Sequence, residues 1–436
     1  MMNKITTVLA ALLIVFGAAA QETAQETESQ DSGPSGLTFG AFPIFDYNPD
    51  MGFRLGGRAA GYDFGKGRVN YPNPRQQLYV EASGYTNKAQ VYALSYDNRF
   101  LVPGIWFTFA AGFSDERAFD FYGFGGYESY YDRALPRAYY QLDRKMPWAK
   151  LDFTGKIVSN LYWKFGYHFK YFILNETESE SLSEVPFGKS LFSWYKSLGF
   201  IEGDEFNGGM TSALRAGLSW DNRDCEADPS RGNWTDAFME WAPKWMGTNK
   251  PYGRYHVTVR QYVPLSGDRL VFAARANVQG FIGKPGFYVL PSESGIGSVW
   301  DRDGFGGYGT LRGILRNRLQ GQALCYFNTE LRWKFLTTEL LGQDLSFGAN
   351  VFFEGGRVLK NYTDVSVDAQ AWQRQLDKIP AQLLQGGREK FHFTTGAGVR
   401  AILNRNFIIS LDYGHAFNTQ DCGRWGALYF NAGYLF

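Results

Sequence analysis

Large apolar residues alternate with polar residues along many segments of this chain, most clearly over 161–174. One face of that segment carries Leu161, Trp163, Phe165, Tyr167, Phe169 and Tyr171. The other face carries Tyr162, Lys164, Gly166, His168 and Lys170. A period of two is that of a β-strand, whose successive side chains point to opposite sides. The pattern predicts a strand with lipid on one side and water or polar protein on the other.

Comparable segments recur along the chain and predict about sixteen strands, a number typical of membrane barrels. They lie near 37–46, 52–64, 76–86, 89–98, 105–115, 139–157, 161–174, 211–222, 233–242, 253–263, 269–281, 320–335, 345–354, 391–403, 407–417 and 426–436. An even number of antiparallel strands returns the chain to the side of the membrane on which it started. We therefore predict an all-β fold, a transmembrane antiparallel β-barrel.

The connections between these strands fall into two groups. If the chain starts in the periplasm, the periplasmic connections include Ser159-Asn160, Pro264–Asp268, Asn404–Asn406 and the turn-rich Asp221–Gly232. Long connections at about 175–210, 282–319 and 355–390 all fall at the opposite, external end. Short periplasmic turns and longer external loops are typical of outer-membrane barrels.

The N-terminal residues predict export from the cytoplasm. One lysine precedes an uncharged apolar run over 5–16 and small residues over 17–20, which is the layout of a secretory signal. We predict a cleaved signal peptide at 1–20, a disordered polar leader at 21–36 and a barrel over 37–436. The leader is too short for a periplasmic domain of ordinary size.

The composition narrows the class of protein. Without Lys4 of the signal, the chain has 43 basic and 43 acidic residues, so no charge excess indicates nucleic-acid binding. The three cysteines lie far apart and fit neither a disulfide framework nor a metal site. A secreted all-β enzyme or lectin is the competing class. The aromatic strand at 426–436 favours the barrel, because it is similar to the sorting signal that ends outer-membrane barrels.

A glycine-rich stretch, Ser298–Arg318, lies on the external connection between the eleventh and twelfth strands. Its residues Leu311-Arg312-Gly313-Ile314 resemble the (Val/Ile)-Arg-Gly-(Phe/Tyr) motif of the BamA/TamA superfamily, the outer membrane protein 85 group. In that family the motif lies on the sixth external loop, which folds back into the barrel. The resemblance therefore implies that this loop enters the lumen. The family's aromatic ring is replaced here by Ile314.

The thirteenth strand is similar to the family pattern aromatic-x-Asp-x-Gly. The matching residues here are Phe352, Glu354 and Gly356, with glutamate in place of aspartate. Strand alternation puts Glu354 inward, where its carboxylate could pair with the Arg312 guanidinium through charge-assisted bonds. Segments at 42–53, 395–400 and 412–414 extend the resemblance over most of the chain.

The family resemblance implies a role in inserting or exporting outer-membrane proteins. The first and last strands would meet at a seam, and an exposed strand edge there could template a client strand. The seam residues would include Pro43, which removes one hydrogen-bond donor, with Tyr434 and Phe436 on the last strand. The implied surroundings are a lipid bilayer, a lipopolysaccharide-containing bacterial outer membrane and protein partners. The predicted chain lacks the periplasmic POTRA domains that receive clients in the family.

Three other functions remain open at this point. The chain could be an accessory barrel of a larger complex, because the receptor domains are missing. It could be a plugged channel, since several inward positions are polar: Lys164, Lys170, Arg275, Asn277, Gln279 and Arg332. An enzyme is the least supported, because His168, His256, His392 and His415 lie in no recognisable nucleophile or metal motif. We predict no catalytic residue, metal site or cofactor.

Overall fold

The computed structural model describes residues 36–65, 74–185, 188–296, 302–340, 342–363 and 386–436. The predicted signal peptide and all but the last residue of the predicted leader lie outside the described residues.

Sixteen strands within the described ranges form a closed antiparallel barrel, and two further short strands pair separately. The barrel strands are β1 (Leu37–Asn48), β2 (Gly52–Asp63), β3 (Gln76–Tyr85), β4 (Gln90–Val102), β5 (Ile105–Asp120), β6 (Gln141–Val158), β7 (Leu161–Glu176), β8 (Gly208–Asp221), β9 (Gly232–Ala242), β10 (Tyr252–Ser266), β11 (Leu270–Gly283), β14 (Ala323–Leu340), β15 (Gln343–Lys360), β16 (His392–Leu403), β17 (Phe407–Ala416) and β18 (Ala427–Ala432). The separate pair is β12 (Ser292–Glu293) with β13 (Arg302–Asp303). The prediction of a barrel with about sixteen strands is confirmed.

The predicted strand positions agree with the structure, but several ends differ. β5 continues to Asp120, and β14 continues to Leu340, both beyond the predicted limits. The predicted last strand, 426–436, is wrong at its end, because β18 stops at Ala432. Gly433 then takes a φ of +103°, a conformation that glycine adopts readily and that breaks the extended strand.

The barrel is apolar outside and polar inside, the reverse of a soluble protein. Phe165, Trp333 and Val351 are among the exposed large side chains, whereas Arg215 and Arg275 are completely buried. Such an apolar outer band is what contact with lipid requires. Among the described residues, no helix has the length and apolar composition needed to cross a membrane.

The described parts of the long connections pack into an aromatic cap at one end of the barrel, here called the long-loop end. The cap includes a short helix, α1 (Leu191–Ser197). The Phe121 ring lies 5.3 Å from the Tyr195 ring, and the Phe124 ring lies 4.9 Å from the Tyr362 ring, measured between centroids. Because these rings come from different loops and are buried, the cap covers the mouth of the barrel at this end.

The opposite end of the barrel, here called the short-turn end, carries tight turns. β6 and β7 are joined at 159–160, and β16 and β17 at 404–406. Longer connections at this end include 222–231, which joins β8 to β9.

Candidate functional site

The connection before β14 folds into the barrel. Residues 304–320, here called the plug loop, are compact because the Gly307 N–H donates to the Ile314 carbonyl oxygen at 2.8 Å. Thr310 is completely buried, and its hydroxyl accepts from the Gly306 N–H at 2.8 Å. Leu311 and Ile314 belong to an apolar cluster with Leu324 and Val358 on the wall, together with Phe305, Leu319, Tyr326, Ala416 and Cys422. Ile314 thus anchors the loop by apolar packing.

Arg312 lies at the centre of the plug loop, completely buried. Its Nε donates to Glu354 Oε1 at 2.9 Å, its Nη2 donates to the same oxygen at 2.6 Å, and its backbone N–H donates to Glu354 Oε2 at 2.7 Å. The guanidinium carbon also lies 3.6 Å from the centre of the Phe352 ring. The structure therefore brings together the sequence-predicted residues Arg312, Phe352 and Glu354.

Two further carboxylates reach the same guanidinium. Glu330 on β14 accepts from Nη2 of Arg312, and Asp412 on β17 lies 3.3 Å from its Nη1. Neither residue was predicted to belong to the site. The sequence did indicate that both side chains point into the lumen, because both residues occupy inward positions of predicted strands. Alternation alone, however, gives no information on which inward residues of separate strands converge.

The positive and negative charges around Arg312 are equal in number. Glu330 also accepts from Nε of Arg332 at 2.7 Å, and Asp412 accepts from Nη2 of Arg400 at 2.8 Å. Three guanidinium groups and three carboxylates thus form one buried network. Loss of one member would leave an uncompensated buried charge, which costs more than loss of an exposed pair.

Gly313 permits the close approach of the plug loop to the wall. Its φ is +88°, and a Cβ there would lie 2.6 Å from the Gly414 carbonyl carbon. The Gly313 N–H donates to the Tyr429 hydroxyl at 3.0 Å, and Thr394 Oγ1 donates to the Arg312 carbonyl oxygen at 2.6 Å. On the other side, a Cβ at Gly356 would lie 2.7 Å from Leu311 Cδ1. Space and backbone conformation therefore require Gly313, whereas a side chain at Gly356 would displace the end of the Leu311 side chain.

The plug loop also contacts the opposite wall. Arg316 Nη2 donates to Glu116 Oε2 on β5 at 2.5 Å. Arg275 Nη2 on β11 donates to the carbonyl oxygen of Thr310 at 3.3 Å. The Arg316 bond reaches the opposite wall and holds the loop across the lumen, whereas Arg275 belongs to β11, the neighbour of β14 on the near wall. Arg275, one of the residues suggested for a channel, thus contacts the plug loop.

The seam between the first and last strands is weakly paired. β1 pairs with β2 along its whole length, but β1 and β18 share the single register pair Tyr47–Phe430 among the described residues. Pro43 is exposed and lies on the part of β1 that has no register partner on β18. On the other side of β1, Pro43 faces Gly57 on β2.

The chain end turns away from the seam into the lumen. Residues 433–436, here called the tail, place the Tyr434 ring 4.1 Å from the Arg332 guanidinium carbon. Arg332 Nη2 donates to the Phe436 carbonyl oxygen at 2.9 Å, and the Phe436 side chain is buried with Tyr262 and Val271. The expectation that Tyr434 and Phe436 pair in the seam strands is therefore wrong. Their rings gain buried contact with guanidinium groups inside the barrel.

Comparisons with known proteins agree with this fold. A BamA structure from Haemophilus ducreyi lacking POTRA domains 1–3 is similar over 92% of this chain and 70% of that chain, at 15% identity and a TM-score of 0.57. CdiB from Escherichia coli is similar over 92% of this chain and 63% of that chain, at 10% identity and a TM-score of 0.57. A search of curated proteins gave no match. The sequence profile described as the Omp85 superfamily domain matches residues 76–436, and the chain therefore belongs to the Omp85 superfamily.

Proposed function

We propose that this outer-membrane barrel assists the insertion, assembly or export of other outer-membrane proteins, and that the β1–β18 seam is its working edge. The observation that carries the proposal is the single register pair between these strands. Signal-directed export, followed by removal of residues 1–20, would deliver the barrel to this membrane. The chain would work with partners that supply receptor domains.

The unpaired part of β1 offers a strand edge. Residues 37–46 bond to β2 on one side, while the side toward β18 has no register partner among the described residues. Free backbone N–H and C=O groups at such an edge favour pairing with another strand. Outward side chains such as Phe39 and Phe45 are exposed, so a client strand would add to an apolar outer surface.

The route along the barrel axis is closed by the molecule itself. The aromatic cap covers the long-loop end, and the plug loop crosses the lumen through Arg312 and Arg316. An open channel is therefore the weaker proposal. A lateral route through the seam bypasses the aromatic cap, but movement of β18 would break the hydrogen bond from the Gly313 N–H to the Tyr429 hydroxyl.

A disulfide across the seam tests this proposal. Cysteines at Tyr47 and Phe430, which are register partners, would lock β1 to β18. Insertion of a client barrel into liposomes carrying the oxidised variant should be lost and should return on reduction. Cysteines at the register partners Ala41 and Ala59, which join β1 to β2, are the matched control.

Two results would count against the seam. Wild-type insertion by the oxidised Tyr47–Phe430 variant would exclude lateral opening, and equal loss in the control would assign the effect to the disulfide itself. Purification from native membranes tests partnership separately. Recovery of this chain together with a receptor-bearing chain supports assembly, whereas recovery of the chain alone opposes it.

A further inference from the structure

The connection 222–231, here called the strap, leaves the wall at the short-turn end. Asp228 in the strap is only 2% exposed, and its Oδ2 lies 2.5 Å from Lys334 Nζ on β14. Arg405, in the turn between β16 and β17, places Nη2 2.9 Å from Asp224 Oδ2 and 2.9 Å from the Asp228 carbonyl oxygen. The strap thus contacts two parts of the barrel that are distant from its own base.

The spacing of the strands shows that these contacts cross the mouth. From β9 to β16 the barrel order runs through β10, β11, β14 and β15. At about 4.8 Å per neighbouring pair, this path covers roughly 24 Å of curved wall. An ion pair at 2.9 Å between the ends of that path requires the strap to leave the wall and reach across this part of the opening.

The base of the strap is anchored on the lumen side. The Trp234 ring on β9 lies between two guanidinium groups, 4.1 Å from that of Arg223 in the strap and 3.8 Å from that of Arg260 on β10. Asp224 also accepts from the Ser230 N–H at 2.8 Å, which closes the strap on itself. The strap is therefore preorganised, with a fixed base and an ionic far end.

The turn that receives the strap holds an unfavourable backbone conformation. Asn404 and Arg405 both have positive φ, +49° and +58°. Consecutive positive φ values favour glycine or asparagine, so an arginine at the second position carries a conformational cost. The ion pair between the Arg405 guanidinium and the strap offsets this conformational cost. The Arg405 side chain is still 44% exposed. The ion pair between Arg405 and the strap is thus open to competing ions.

We infer that the strap is an ionically latched gate that closes the short-turn mouth of the lumen. The latch consists of Asp224 and Asp228 on the strap with Arg405 and Lys334 on the barrel. Salt, or a cationic segment of a partner, would open the gate by competing for the carboxylates. The gate is independent of the seam and of any client, so its test requires no insertion activity.

A reporter cysteine in the lumen measures whether the mouth is closed. Ser219 on β8 is 3% exposed and donates to Asp236 in the interior, so Ser219→Cys places a thiol above the strap. The native cysteines Cys225, Cys325 and Cys422 are replaced by serine in this background. The purified barrel in nanodiscs is then treated with a small membrane-impermeant maleimide.

The decisive variant breaks the latch. Arg405→Glu with Lys334→Gln should raise the labelling rate on the order of tenfold, and high salt should raise the rate of the intact barrel. Arg231→Glu, a charge reversal at an exposed strap residue, is the matched control and should leave the rate unchanged. An unchanged rate in the latch variant would overturn the gate.

The native Cys225 gives a second, independent measurement. Its Sγ lies 3.7 Å from the Arg405 carbonyl oxygen, so a cysteine at Asn406 should form a disulfide with Cys225 on oxidation. This experiment uses a chain that retains Cys225 and carries Ser219→Cys with the latch-breaking substitutions. In that chain the disulfide should return the rate of Ser219→Cys labelling to that of the intact barrel. A cysteine at Gly267, in the turn between β10 and β11, should not crosslink. Failure of the Asn406 cysteine to crosslink would exclude a strap that crosses the mouth.

Discussion

Arg312 and Glu354 are joined through both the side chain and the main chain of the arginine. One carboxylate oxygen accepts from Nε at 2.9 Å, and the other accepts from the backbone N–H at 2.7 Å. A side-chain pair alone would leave the loop free to pivot about the arginine. The additional backbone bond fixes the position of the loop as well as its charge.

Removal of one carboxylate should destabilise the barrel. Glu354→Gln leaves a buried guanidinium short of one negative partner, and loss of a buried partner costs about 3–5 kcal/mol. The free energy of unfolding in urea, followed by tryptophan fluorescence in detergent, measures this loss. Glu339→Gln, at an exposed position on β14, is the matched control. Equal stability of the two variants would contradict the structural role of the network.

Gly313→Ala should displace the plug loop. The alanine would combine positive φ with a Cβ 2.6 Å from backbone atoms of β17. Gly104→Ala is the matched control, because Gly104 has a similar φ of +78° but open space around its Cβ position. The control should lose only about 1 kcal/mol through backbone strain. We expect larger destabilisation and increased single-channel conductance for Gly313→Ala, and equal behaviour of the two would exclude a steric requirement.

Arg332→Ala should release the tail from the lumen. The substitution removes the bond to the Phe436 carbonyl oxygen and the contacts with the rings of Tyr434 and Phe436. Faster hydrogen exchange of the backbone amides at 433–436 in detergent would report release. A double-mutant cycle of Arg332→Ala with Phe436→Ala should give a coupling of about 1 kcal/mol. Zero coupling would show that the tail and Arg332 are energetically independent.

The ionic latch between the strap and the barrel should stay closed in mild acid. Burial opposes ionisation of Asp224, but hydrogen bonds from Ser230 and Arg405 outweigh burial and lower its pKa. A carboxylate with a depressed folded-state pKa contributes stability above its unfolded value of about 3.9 and loses it as the pH falls through the lower folded value. The ratio of reporter labelling between the latch-broken and intact barrels should therefore stay constant from neutral pH to about pH 4. A fall of this ratio already near pH 5 would contradict the prediction.

Strand alternation and the loop motif predicted much of this protein from the sequence. The period-two pattern around 161–174 is a local property, and it is preserved when the strand joins the barrel. The Arg312–Glu354 contact was also predicted, but only because a family resemblance placed the loop inside the lumen. Composition and alternation alone would have left that arginine on any polar surface.

Closure of the barrel determined the contacts that the sequence did not predict. Glu330 and Asp412 join Arg312 because curvature brings inward residues of separate strands together. The tail enters the lumen at Gly433, and the strap reaches Arg405 across the mouth. Neither contact has a local signature, because each depends on where distant strands lie in the closed sheet. The sequence thus determined which residues face inward, and only the tertiary structure determined which of them meet.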